Sequence, residues 1–120
     1  MESKQLVINY GESSIEGLSK EDRELLIEAQ NSLEGAYSPY SDFRVASAVR
    51  MDSGVVSIAV VAQNLDNKFA KAYPCGACLQ VLSEWEMRFK TSIRIIIQID
   101  DKSVQIFDGV SSLMPFSFNL

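Results

Sequence analysis

Val55-Val56-Ser57-Ile58-Ala59-Val60-Val61-Ala62 is followed, after a polar stretch, by Pro74-Cys75-Gly76-Ala77-Cys78-Leu79-Gln80-Val81-Leu82-Ser83-Glu84, and then by Ile93-Arg94-Ile95-Ile96-Ile97-Gln98-Ile99. The first and last of these runs are rich in β-branched residues and fit buried strands. Between them, Cys78, Val81, Leu82, Trp85 and Phe89 fall at i, i+3, i+4, i+7 and i+11, the apolar stripe of one helix over residues 75–90. Trp85 and Phe89 are expected in the core. A strand, a crossover helix and a second strand place the chain in the α/β class.

Towards the N-terminus, residues 43–51 alternate or run apolar like a strand, and Asp52-Ser53-Gly54 supplies a tight turn into residues 55–62, so the two strands read as a hairpin. Tyr37-Ser38-Pro39-Tyr40-Ser41-Asp42 is a loop, because Pro39 has no amide hydrogen and restricts the residue before it. Ser19 reads as a helix cap, with Glu21 and Asp22 in the first turn and Leu25, Leu26, Ala29, Leu33 and Ala36 at helical spacing, and this helix should end near Gly35. Residues 1–18 form an N-terminal arm lying on the domain or on a neighbour. Towards the C-terminus, Asp100-Asp101-Lys102 turns into a short strand at 104–107, and residues 113–118 are an apolar, irregular tail. Residues 63–73 are a polar connection in which Phe69 and Tyr73 are candidates to pack inward. No repeat or linker divides residues 1–120, so a single domain is expected.

Composition narrows the function classes. The 47% hydrophobic and 22% charged content fits an ordinary globular core, and no apolar run is long enough to cross a bilayer. The N-terminus lacks a basic start, an apolar stretch and a small-residue cleavage site, so a cytoplasmic location is expected. Sixteen acidic against eleven basic residues give a net charge of -5, and the cations are scattered, which disfavours a polynucleotide partner and leaves a neutral small molecule easier to accommodate. The absence of histidine removes the commonest general base and the commonest zinc ligand together.

The two cysteines, Cys75 and Cys78, stand two residues apart at a helix start behind Pro74. Free backbone amides and the helix dipole lower thiolate pKa values at such a position, and thiolates are what metals bind. The same spacing also suits a redox pair, and two thiolates alone leave a four-coordinate zinc site half filled. Asp66 or a neighbouring chain is a candidate to complete it, as is a symmetric pairing of two C-x-x-C helices. Glu84 is a poor replacement acid/base: it falls six residues after Cys78, roughly 600° around the helix at about 100° per residue, and so points to a different face.

Three segments, in order, resemble signatures of the cytidine deaminases: residues 37–45 ahead of a strand, residues 74–84 at a later helix, and Leu113-Met114-Pro115-Phe116-Ser117-Phe118 at the end. The resemblance implies a three-layer α/β/α sandwich, an oligomer with sites at subunit contacts, and zinc-dependent hydrolytic deamination of cytidine or deoxycytidine in pyrimidine salvage, with a glutamate shuttling protons. It also implies that Cys75 and Cys78 are two of three zinc ligands. Phe43 matches an aromatic near the nucleoside, and Phe118 matches an aromatic lent to a neighbouring subunit's pocket.

The chain departs from that pattern where the chemistry lies. The segment expected to hold the ribose, and the helix opening with Cys-Ala-Glu or His-Ala-Glu that carries the third zinc ligand and the catalytic glutamate, are missing. Gly54-Val55-Val56 leads directly into Ser57-Ile58-Ala59-Val60-Val61-Ala62, and Leu79 replaces the arginine usual after the second cysteine. About four strands are expected to remain. Loss of a helix should uncover apolar sheet surface for a partner chain or the N-terminal arm to cover.

Three functions follow as expectations. The first is a degenerate deaminase relative, inactive alone, that acts as a binding or assembly subunit in a homo-oligomer or joined to an intact homologue. The second is an active subunit completed by another chain, and the third is a thiol-disulfide protein using Cys75 and Cys78.

Overall fold

The computed structural model describes residues 3–5, 8–35, 44–52, 55–73, 76–110 and 113. It is a mixed α/β protein, with one six-stranded sheet and two α-helices among the described residues. The strands are β1 (Gly11–Ser14), β2 (Arg44–Asp52), β3 (Val55–Gln63), β4 (Phe69–Ala70), β5 (Ile93–Gln98) and β6 (Ser103–Asp108), and the helices are α1 (Lys20–Asn31) and α2 (Gly76–Phe89). The sheet order is β1-β6-β5-β3-β2, with the short β4 added on β3.

The hairpin, the crossover and the closing strands all form. β2 and β3 pair antiparallel from Arg44↔Gln63 to Asp52↔Val55, a full register with no bulge. β3 and β5 pair parallel from Val56↔Ile93 to Val60↔Ile97. A parallel neighbour needs a crossover connection, and α2 supplies it. β5 and β6 then pair antiparallel.

Two strands lie outside the expected four. β1 pairs antiparallel with β6 from Gly11↔Ile106 to Ser14↔Ser103, so part of the N-terminal arm is a sheet edge. Ile15 continues the attachment through its amide to the Lys102 carbonyl at 2.8 Å. β4 pairs at Ala62 and Gln63, past the last β3 residue that β5 reaches.

α1 begins where Ser19 caps it, its side chain accepting from the Asp22 amide at 3.2 Å. It gives way to a 3-10 turn, Ser32–Gly35, near the expected end. Leu25, Leu26 and Ala29 of α1 pack with Ala59, Val61, Ile96 and Val104 on one face of the sheet. On the other face Leu82 and Trp85 of α2 rest on a buried layer formed by Val56, Ile58, Val60, Ile93, Ile95, Ile97 and Phe107. β3 and β5 are covered on both sides, which is why they read as nearly unbroken apolar runs.

A buried charged network lies on the α1 side. Asp22, buried in the first turn of α1, accepts from Arg50 of β2 at 3.2 Å and from Arg94 of β5 at 2.5 Å. Arg50 and Arg94 flank Ser57 through the cross-strand registers, so one carboxylate ties α1 to strands on either side of β3. Burial pushes the Asp22 carboxyl up, but the hydrogen bonds and charges of Arg94 and Arg50 outweigh it and hold the group below the usual aspartate range.

α2 is placed differently from the full stripe expected of it. Leu82 and Trp85 reach the sheet, whereas Val81 is exposed and Phe89 is 55% exposed. Phe89 is the last residue of α2, and its ring lies 4.7 Å from that of Trp85, with the Arg88 guanidinium 5.7 Å from it. Helical spacing predicts which residues share a side. It does not say how far the sheet extends beneath them.

Candidate functional site

Three residues, Lys90, Thr91 and Ser92, separate the end of α2 at Phe89 from the amino end of β5 at Ile93. With 14 residues it spans about 21 Å, at ~1.5 Å per residue, so it starts near the carboxyl ends of the parallel strands β3 and β5. That is the end of an open α/β sheet at which ligands usually bind. Gly76, Ala77 and Cys78 form the first turn there. Cys78 belongs to the helix by its backbone. Its side chain, and all of Cys75, Phe43 and Phe118, lie outside the described residues.

The described neighbours of this end are polar and aromatic. Arg44, at the start of β2, donates to Gln63 Oε1 at 2.7 Å and to Asn67 Oδ1 at 3.0 Å, joining the carboxyl end of β3 to the turn after it. Asn64 holds that turn through Oδ1, which accepts from the amides of Asp66 and Lys68 at 2.9 and 3.1 Å. Asn67 has a positive φ of 60°, a conformation asparagine tolerates better than most residues. On the α2 face, the Tyr73 hydroxyl donates to Gln105 Oε1 at 2.6 Å, and its ring meets Phe107 edge-on at 6.1 Å. Tyr10 stacks on Phe107 from the arm side at 5.4 Å.

The carboxylates on α2 take no part at this end. Glu84 is exposed. Glu86 faces the sheet and acts as a clamp: Oε2 accepts from the Ile93 amide at 2.6 Å, and both oxygens lie 3.3 Å from the Val110 amide. One side chain therefore fixes α2 against the start of β5 and the end of β6. The sequence offered no signal for this, since Glu86 and Val110 are 24 residues apart.

A zinc site needs four donors, or three with an open position. The chain has two cysteines and no histidine. Among the described residues no group of three or more cysteine, aspartate and glutamate side chains is placed to hold a metal, and Asp66 is exposed in the turn that Asn64 organises. No helix among the described residues is long and apolar enough to cross a membrane.

The expected uncovered surface is present on β2. Val45, Val49 and Met51 share the α2 face with Ile58 and Val56 through the register, yet are 50, 55 and 70% exposed. The described part of the arm cannot cover them, because β1 occupies the opposite edge of the sheet.

No protein-family model matches the chain, and no curated protein matches it.

Proposed function

We propose that this chain is a degenerate relative of the cytidine deaminases, with a reduced form of their sandwich, that does not deaminate on its own and serves as a binding or assembly subunit. The observation that carries the reading is the position of the C-x-x-C helix. It opens near the carboxyl ends of a parallel strand pair, following a hairpin and an N-terminal helix. Hydrolytic deamination needs an activated water and a group that protonates the departing amine, and Glu84 and Glu86 supply neither from where they stand. A metal held at Cys75 and Cys78 would need further ligands, from Asp66 or from another chain.

The homogeneous protein is expected to release no ammonia from cytidine, with or without added zinc. Release that depends on zinc would overturn the reading. Mixing with an intact deaminase separates the alternatives: co-purification without new activity supports an assembly subunit, whereas activity restored beyond that of the partner favours a subunit completed in trans. A thiol-disulfide role has one observation in its favour, the place of Cys78 in the first turn of α2, where thiolates are stabilised. Reduction of an insulin-type disulfide tests it.

A further inference from the structure

We propose that the free edge of β2 pairs antiparallel with β2 of a second copy of this chain, about a two-fold axis at Ala48. The proposal deepens the assembly half of the function above and stands without its deaminase half. Ammonia release tests the latter and solution mass the former, so the two can fail separately.

β2 is a nine-residue strand at the end of the sheet order, paired with β3 on one side only among the described residues. Long edge strands bearing apolar residues are templates for further pairing, and monomers usually blunt them. Here the stripe Val45, Val49 and Met51 is open on one face. On the other face Ala46 and Ala48 pack against the α1 cluster and Arg50 is held by Asp22. The strand is thus rigidly supported from one side and bare on the other.

The register chooses the occupant. With the axis at Ala48, all nine residues of one copy find a partner: Arg44 opposite Asp52, Val45 opposite Met51, Ala46 opposite Arg50, and Ser47 opposite Val49. Directly opposed residues share a face, so the two apolar stripes merge into one ribbon while both ends set a basic position against an acidic one. Moving the axis to Ser47 sets Arg44 against Arg50, a like-charge pair. Moving it to Val49 leaves Arg44 beyond the end of the strand. A two-fold pairing of this kind is self-complementary and closes on itself.

The full chain is expected to sediment at twice its formula mass at micromolar concentration. Val49→Lys, at an exposed position, should leave the circular dichroism spectrum unchanged and weaken association at least about tenfold, because each copy contributes one lysine to the ribbon. In a Cys75→Ser/Cys78→Ser background, Ala48→Cys should form an intermolecular disulfide on mild oxidation. Directly opposed antiparallel residues have Cα atoms about 4.5–5.5 Å apart, within disulfide range. A monomeric wild type, leaving the face to a different protein, would overturn the proposal. So would a dimer that is indifferent to Val49→Lys and does not cross-link through position 48.

Discussion

The two faces of β2 differ sharply in what they meet. Beneath α1 the strand presents small or charged residues, Ala46, Ala48 and Arg50, each in contact with a neighbour. Toward the α2 side it presents Val45, Val49 and Met51 to solvent. Apolar bulk thus lies outside and small side chains inside, the reverse of what an edge strand needs to remain solitary. The α2 half stops at β3, because Leu82 and Trp85 cover β3 and β5 and nothing described continues the layer over β2.

Substitutions can break that contrast. The largest effect should come from Leu26→Ala, which empties a fully buried position under α1 and should cost about 3–4 kcal/mol in urea denaturation. Asp22→Asn should follow at about 2 kcal/mol, discounted from the loss expected of a fully buried pair because both arginines are partly exposed. Its pH dependence carries a sign. The Asp22 pKa is lowered in the folded state, so its contribution is fully present above the ordinary value of 3.8 and is lost as the pH falls through the folded value. Wild type should therefore lose more stability than Asp22→Asn on acidification below that value.

A smaller loss tests the α2 half. Glu86→Ala leaves the Ile93 and Val110 amides without their acceptor and should cost about 1–2 kcal/mol, with faster hydrogen exchange at those two amides. The smallest effect sharpens the comparison: Val49→Ala should change stability by less than about 0.5 kcal/mol in dilute protein, as expected of a surface site. A cost that grows with protein concentration would show the bare face to be occupied.

Much of this arrangement was legible in the sequence, for reasons particular residues make clear. Ser19 and the Leu25, Leu26, Ala29 spacing place α1, and the β-branched runs place β2, β3 and β5 to within a residue or two. β1 was not legible, since Gly11-Glu12-Ser13-Ser14 has no apolar alternation and is held through its backbone to β6. β4, at two residues, is too short to show a period. Phe89 is exposed where the helical stripe predicts core, because the spacing of a helix does not reveal where its sheet ends.

The site divides in the same way. The position of the cysteine motif at a helix start could be read from Pro74 and the spacing. The Tyr73–Gln105 bond joins residues 32 apart, so only the folded chain brings them together. Cys75, Phe43 and Phe118, which carry the family resemblance, fall outside the described residues, and their roles rest on that resemblance alone.

β1 has a consequence for how large any assembly of this chain can become. It is four residues long, rich in serine, and ends the sheet on the side away from β2. An object with two adhesive edges propagates into a fibre, whereas one whose second edge is blunted can only close. On the pairing proposed for β2, so short an edge would act as a stop, and assembly would be expected to end at a finite particle.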